Sequence, residues 1–147
     1  MRFILLLTML VLFSCSSTFN KTYIKLKNGS DLYNSKTGIL TRHFCSEKEK
    51  QITVKLNLTE LQIRQIVKAA LDSYQQSLIV DKDTGEEVEK ICVSSYPFEL
   101  ELYSEGDEKL IGRHSCFGIT VLENALNEII YEQPEVKALE SSRCRYY

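Results

Sequence analysis

The sequence predicts an α+β domain in which an antiparallel β-sheet carries two main amphipathic helices on one face, giving two layers. Stretches in which apolar and polar residues alternate, as in half-buried strands, lie at 23–27, 39–45, 52–58 and 98–103. Stretches in which apolar residues recur at three- and four-residue steps, as in amphipathic helices, lie at 61–78 and 122–130. The strand connections are too short for parallel crossovers, so the sheet is expected to be antiparallel.

Tight turns are predicted between the early strands. The dipeptide Asn28-Gly29 after the first strand favours a hairpin, since both residues tolerate left-handed backbone dihedrals. Residues 34–38 (NSKTG) predict a second turn that leads into the strand 39–45. The charged run 46–50 (SEKEK) is typical of a solvated connection.

The first helix is expected to follow the strand 52–58 directly. Thr59 stands three residues before Gln62, which is the spacing of a capping box. The apolar stripe that follows, over 61–78, is broad enough to cover a sheet.

The second half of the domain is predicted to contain two hairpins and a second helix. In the first hairpin, an acidic turn at 81–87 joins short strands around 78–80 and 88–93. In the second, a turn at 104–108 joins a strand from 98 to 103 to a returning segment at 109–115. The helix is expected to begin at Thr120, with Glu123 at capping distance. Pro134 should end or kink it, and 134–139 could form a short final helical turn.

The N-terminal residues have the layout of an export signal. Arg2 precedes an apolar run at 3–13, which is shorter than the roughly 20 residues that a membrane-spanning helix needs. Residues 12–16 (LFSCS) resemble the lipobox of bacterial lipoproteins, in which the cysteine, here Cys15, is lipidated. Cleavage of an ordinary secretory signal is the alternative. The predicted segments are a signal peptide at 1–14, a lipidated cysteine with its tether at 15–21 and a single domain at 22–147.

The expected location is the cell envelope. A lipidated Cys15 would anchor the chain to a membrane, and Ser16 after it favours the outer membrane by resemblance to lipoprotein sorting. Removal of the signal also removes Arg2, so the formal net charge falls from −2 to −3. An acidic domain of this kind is a poor match for nucleic acid or for an anionic membrane surface, so no nucleic-acid partner is expected.

Four cysteines remain when Cys15 is set aside, and an even number in an exported chain predicts two disulfides. Three pairings are possible. We prefer Cys92–Cys116 with Cys45–Cys144, because the first would close the base of a hairpin and the second would tie the last segment to an early strand.

The tetrapeptides at 42–45 and 113–116 share the pattern R-H-x-C, which raises an alternative. Within a strand each His/Cys pair faces one way, so His43, Cys45, His114 and Cys116 together have the ligand types of a tetrahedral zinc site. Zinc binding or catalysis by a thiol would need free cysteines, which export disfavours. We therefore assign no catalytic residue, metal or cofactor.

Two further patterns have ordinary structural interpretations. Asp81, Asp83 and Gly85 resemble part of a calcium loop, but glycine comes one residue too early, and this spacing is common in turns. Glu99 and Glu101 share a strand face, where alternation predicts a solvated outer surface.

The strand 52–58, the helix after it, the strand 98–103 and residues 133–137 (QPEVK) together resemble small envelope lipoproteins of bacteria. The resemblance implies no activity and no functional residues. We expect an exported, lipid-anchored, non-enzymatic protein with a protein-binding or structural role. The alternatives are a periplasmic immunity or inhibitor protein against a toxin or hydrolase, and a small thiol- or metal-dependent hydrolase.

Overall fold

A six-stranded antiparallel sheet forms the centre of the fold. The computed structural model of the chain describes residues 22–47, 50–142 and 144–145. The sheet strands are β1 (Thr22–Asn28), β2 (Asp31–Asn34), β3 (Ile39–His43), β4 (Gln51–Lys55), β7 (Phe98–Ser104) and β8 (Leu110–His114). Their order is β4-β3-β2-β1-β7-β8. Two further strands, β5 (Leu78–Val80) and β6 (Glu87–Glu89), form a separate hairpin. The α+β class and the antiparallel sheet are therefore confirmed.

The two predicted early turns are confirmed by their glycines. Gly29, between β1 and β2, has φ 63°, and Gly38, between β2 and β3, has φ 67°. Both values lie in the left-handed region that a residue without Cβ adopts at little cost. These turns set the hairpin register, in which Leu26 faces Tyr33 and Tyr33 faces Leu40.

The helix α1 (Glu60–Gln76) begins at the predicted capping box. The Gln62 N–H donates to Thr59 Oγ1 at 3.2 Å, and the Thr59 N–H donates to Gln62 Oε1 at 2.9 Å. The helix lies against β1, β7 and β8. At Gly112 in β8 a Cβ atom would come within 2.4 Å of the Tyr74 ring, so the glycine lets this ring lie directly on the strand.

The second helical region differs from the prediction. It consists of α2 (Thr120–Ala125), a π-helical segment (Leu126–Tyr131) and α3 (Pro134–Lys137). The start at Thr120 is confirmed, but the N-cap residue is Ile119 and no described side chain caps the helix, so the expected capping by Glu123 was wrong. The packing also differs, since α2 lies mainly against α1 and the π-helical segment continues towards α3.

One face of the sheet forms the core, and the other is open. Ile24 and Leu26 of β1 are buried beside Leu100 and Leu102 of β7, their register partners. Between them, Lys25 pairs with Glu101 on the opposite face. The core also takes in Ile66 and Ala70 of α1 and Leu122, Leu126 and Ile130 of the second helical region.

The structure joins Cys45 to Cys144 and Cys92 to Cys116, which is the pairing that the sequence analysis preferred. The two bonds span 99 and 24 residues, so both constrain distant parts of the chain. Two disulfides are typical of proteins that fold in an oxidising compartment.

Candidate functional site

A cavity of about 670 Å³ opens where the ends of several strands meet the last described segment of the chain. We call it the end cavity. Its polar wall is formed by Asn28 at the end of β1, Asp31 at the start of β2 and Arg42 in β3, and its outer rim by residues from Val136 to Ser142. Its volume is in the range of sites that bind small molecules.

The polar wall is held by a bidentate ion pair. Arg42 donates from Nε to Asp31 Oδ1 and from Nη2 to Asp31 Oδ2, both at 2.7 Å. The side chains are 15% and 7% exposed, so water competes little for this pair. The hydrogen bond to Asp31 raises the pKa of the Arg42 guanidinium. A third contact, from Arg42 Nη1 to the Glu140 carbonyl at 3.4 Å, ties the pair to the cavity rim.

Asn28 and Tyr131 meet deeper in the wall. Asn28 Nδ2 donates to the Tyr131 hydroxyl at 2.8 Å. Burial raises the pKa of Tyr131, which therefore stays protonated. Asn28 Oδ1 is buried and has no hydrogen-bond partner among the described residues. A buried carbonyl oxygen without a donor is unfavourable in a folded protein.

Aromatic rings form the other wall of the end cavity. The Tyr96 and Phe117 ring centroids are 4.3 Å apart, and those of Phe98 and Phe117 are 6.1 Å apart. Tyr131 adds a fourth ring to the lining. Aromatic walls with a few polar groups are the usual composition of a ligand pocket.

The Cys92–Cys116 disulfide braces this aromatic wall. Cys116 directly precedes Phe117, and its partner Cys92 lies four residues before Tyr96. The bond therefore holds together the two irregular segments that carry the stacked rings. Neither segment is within a strand or helix, so without this bond backbone hydrogen bonding would fix them only weakly.

The Cys45–Cys144 disulfide braces the opposite rim of the end cavity. It joins Cys45, three residues beyond Arg42, to Cys144, two residues beyond Ser142. The Cys45 N–H also donates to the Ser142 carbonyl at 3.2 Å. Both disulfides therefore fix segments that line the same cavity.

A second feature is the 90–95 loop, which leads from β6 towards β7. Cys92 at its centre is bonded to Cys116, while its neighbours Ile91 and Val93 are 89% and 95% exposed. The Lys90 N–H donates to the carbonyl of the buried Ser77 at 2.8 Å and fixes the start of the loop. The loop thus presents two apolar side chains to solvent from a fixed backbone.

The zinc alternative is corrected by the sheet order. His43 lies in β3 and His114 in β8, with β2, β1 and β7 between them. Cys45 and Cys116 are bonded to different partners, so the four residues do not assemble. Among residues 22–47, 50–142 and 144–145, no group of three or more His, Cys, Asp or Glu side chains could hold a metal ion.

His114 has a structural environment. It is 1% exposed, its Nδ1 accepts the Cys116 N–H at 3.1 Å, and its Nε2 lies 2.9 Å from Ser73 Oγ. Since Nδ1 accepts, Nε2 carries the proton and donates to the serine. Burial lowers the pKa of His114 to about 4, so the imidazole is neutral near pH 7. An imidazole that donates to the hydroxyl cannot act as the base that activates it.

The two remaining acidic patterns have local partners. Asp81 Oδ1 accepts the N–H groups of Asp83 and Thr84 at 2.8 and 2.9 Å, as in an ordinary turn. Glu101 accepts the Tyr103 hydroxyl at 2.8 Å on the open face of the sheet.

Sequence reasoning did not find the end cavity. Asn28 and Tyr131 are 103 residues apart, and Asp31 and Arg42 meet only because β2 pairs with β3. One signal was available in the sequence. Asp31 and Arg42 are charged residues within strands, and a charged side chain that is buried in a sheet needs an oppositely charged partner on a neighbouring strand.

Comparison with known proteins gives no match to any family model, to any curated protein or to any solved structure. In the part of the chain that the structure describes, no helix is long and apolar enough to cross a membrane. Cys15, the signal peptide and the tether lie outside the described residues.

Proposed function

We propose that this chain is an exported, non-enzymatic binding protein, anchored in the outer membrane through a lipidated Cys15, that contacts a partner protein with the 90–95 loop. The observation that carries the proposal is the exposure of Ile91 and Val93 on either side of a disulfide-bonded cysteine. The two disulfides are consistent with export, because they form and persist in oxidising compartments.

Exposed apolar residues also occur in the adjoining hairpin. The register partners Ile79 and Val88 are 48% and 36% exposed, and Val80, on the other face of the hairpin, is 63% exposed. Single exposed apolar residues are normal, but a concentration of them is typical of a surface that another molecule covers. An apolar area on a partner protein is therefore the expected counterpart.

The Cys92–Cys116 disulfide favours binding, because it limits the conformational entropy that the 90–95 loop loses when it docks. A loop already held in one conformation loses little freedom when it docks, so more of its contact energy appears as affinity. This observation also supports the second candidate, an immunity or inhibitor protein whose rigid loop enters the cleft of a toxin or hydrolase.

A non-enzymatic role is supported by the state of the nucleophile candidates. The four cysteines at 45, 92, 116 and 144 are all in disulfides, and a disulfide sulfur is not a nucleophile. His114 and Ser73 are buried in the core and do not line the end cavity.

The first test is mass spectrometry of the native protein. We expect a mature chain that begins at an acylated Cys15 and contains two disulfides. A chain that keeps residues 1–14, or one with four free thiols, would contradict the anchor and the compartment.

The second test is a comparison of capture by three forms of the mature protein. The double variant Ile91→Asp/Val93→Asp should lose a partner that the wild type captures from envelope extracts. The control Leu61→Asp changes a residue that is 67% exposed on α1 and should retain the partner. The captured protein is then purified and titrated against all three forms, and equal affinity for the loop variant would refute the loop as the contact.

A further inference from the structure

We propose that the end cavity binds an organic cation, an ammonium group carried on an apolar body. This site is separate from the exposed side chains of the 90–95 loop, so the inference goes beyond the proposed function. It rests on two features of the lining: the aromatic rings, and a carboxylate that has no ion pair among the described residues.

The aromatic wall suits both parts of such a ligand. Tyr96, Phe98 and Phe117 form one cluster with centroid distances of 4.3 and 6.1 Å along it. Ring edges and faces bury apolar atoms, and ring faces attract an ammonium group within about 6 Å. A purely apolar ligand would use only the first of these properties.

The charge balance of the lining favours a cation. Arg42 is neutralised by two hydrogen bonds to Asp31, and Lys137 Nζ binds Glu132 Oε2 at 2.5 Å. Glu123 also lines the cavity and is half-buried, but it has no ion pair among the described residues. Among the described lining residues, Glu123 is therefore the charged group without a counterion, and its charge is negative.

Glu123 distinguishes a cation from an anion. An ammonium group is a donor only, so it can pair with the Glu123 carboxylate, and a carboxylate ligand cannot.

The test uses three probes with the same phenyl body: phenethylammonium, 2-phenylethanol and 3-phenylpropanoate. Binding to the disulfide-bonded mature protein is followed by amide chemical shifts in NMR titrations up to millimolar concentration. We expect phenethylammonium to bind at least tenfold more tightly than the alcohol, with shifts at residues of the end cavity, and the carboxylate to bind most weakly.

Two variants test residues of the cavity lining, and a third serves as a control. Glu123→Gln should weaken phenethylammonium binding about tenfold and leave the alcohol unchanged, because only the charged hydrogen bond is lost. Phe117→Leu should weaken it about threefold through the lost ring. Glu128→Gln removes an equivalent charge from an exposed position outside the cavity lining and should have no effect.

The ammonium group can belong to a free amine or to a lysine side chain of a partner protein. An Nα-acetyl-lysine amide probe distinguishes these two sources. Stronger binding of this probe than of phenethylammonium would identify the side chain of a partner's lysine as the ligand, and the reverse would identify a free amine. The proposal is refuted if the alcohol or the carboxylate binds as well as the amine, if no probe binds, or if Glu123→Gln has no effect. The melting temperature of each variant shows whether it is folded.

Discussion

Acidification from pH 7 to pH 5 is expected to weaken the fold through one buried residue, His114. Its side chain is 1% exposed, and burial lowers its pKa from 6.5 to about 4. In the unfolded chain the imidazole is solvated and its pKa returns to about 6.5. Between these two values the unfolded chain binds a proton that the folded chain does not, so the free energy of unfolding falls as the pH falls.

The magnitude follows from the two pKa values. The difference between them corresponds to about 3 kcal/mol, which is fully present above pH 6.5 and is lost progressively down to pH 4. Between pH 7 and pH 5 the loss is about 2 kcal/mol, a large part of the roughly 5–15 kcal/mol that stabilises an ordinary domain. Carboxyl groups contribute little in this window, because in the unfolded chain they are still largely ionised at pH 5.

Urea unfolding followed by circular dichroism at pH 7, 6 and 5, with the disulfides intact, measures this loss. The wild type should lose about 2 kcal/mol between the end points, whereas His114→Gln should start lower and change little. His43→Gln is the matched control, because His43 is only partly buried, and this variant should keep the wild-type fall. A wild-type protein equally stable at pH 7 and 5, or a His114→Gln variant with an undiminished fall, would refute the reasoning.

Three further changes in stability can be measured by the same unfolding assay at pH 7. Tyr33→Phe should stabilise the fold by about 1 kcal/mol, because the Tyr33 hydroxyl is buried without a hydrogen-bond partner among residues 22–47, 50–142 and 144–145; an unchanged or lower stability would mean that the hydroxyl is satisfied. Arg42→Met should cost about 3 kcal/mol by leaving the Asp31 carboxylate buried and unpaired, and adding Asp31→Asn should recover part of the loss. The double variant Cys92→Ala/Cys116→Ala should lose about 3 kcal/mol, since it frees a loop of 24 residues in the unfolded chain.

Local features of the fold could be predicted from the sequence because they depend on neighbouring residues. The capping box at Thr59 and Gln62 involves residues three apart, and the glycine turns at 29 and 38 depend on one backbone dihedral each. The division of the second helical region could not be predicted in this way. The apolar residues of the π-helical segment, Leu126, Ile129 and Ile130, fit a regular helical stripe equally well, so the periodicity does not distinguish the two.

The end cavity was not predictable because its residues come together only through the sheet order. Asn28 and Arg42 have no recognisable spacing in the chain, and the strand pairing that joins their elements is a long-range property. The R-H-x-C repeat is the opposite case, in which residues share a sequence pattern but do not come together in the fold. His43 and His114 share a local pattern, but three strands lie between their elements, so the pattern had no spatial meaning.

One disulfide connects the two proposed surfaces. Cys92 lies at the centre of the 90–95 loop, and Cys116 precedes Phe117, whose ring stacks with Tyr96 in the end cavity. Reduction of this bond would therefore release the apolar loop and the aromatic wall together. The core between the sheet and α1 is built from other residues, and it loses the bond's contribution to stability at the same time. Both binding and the stability of the fold are thus properties that we expect to depend on an oxidising compartment.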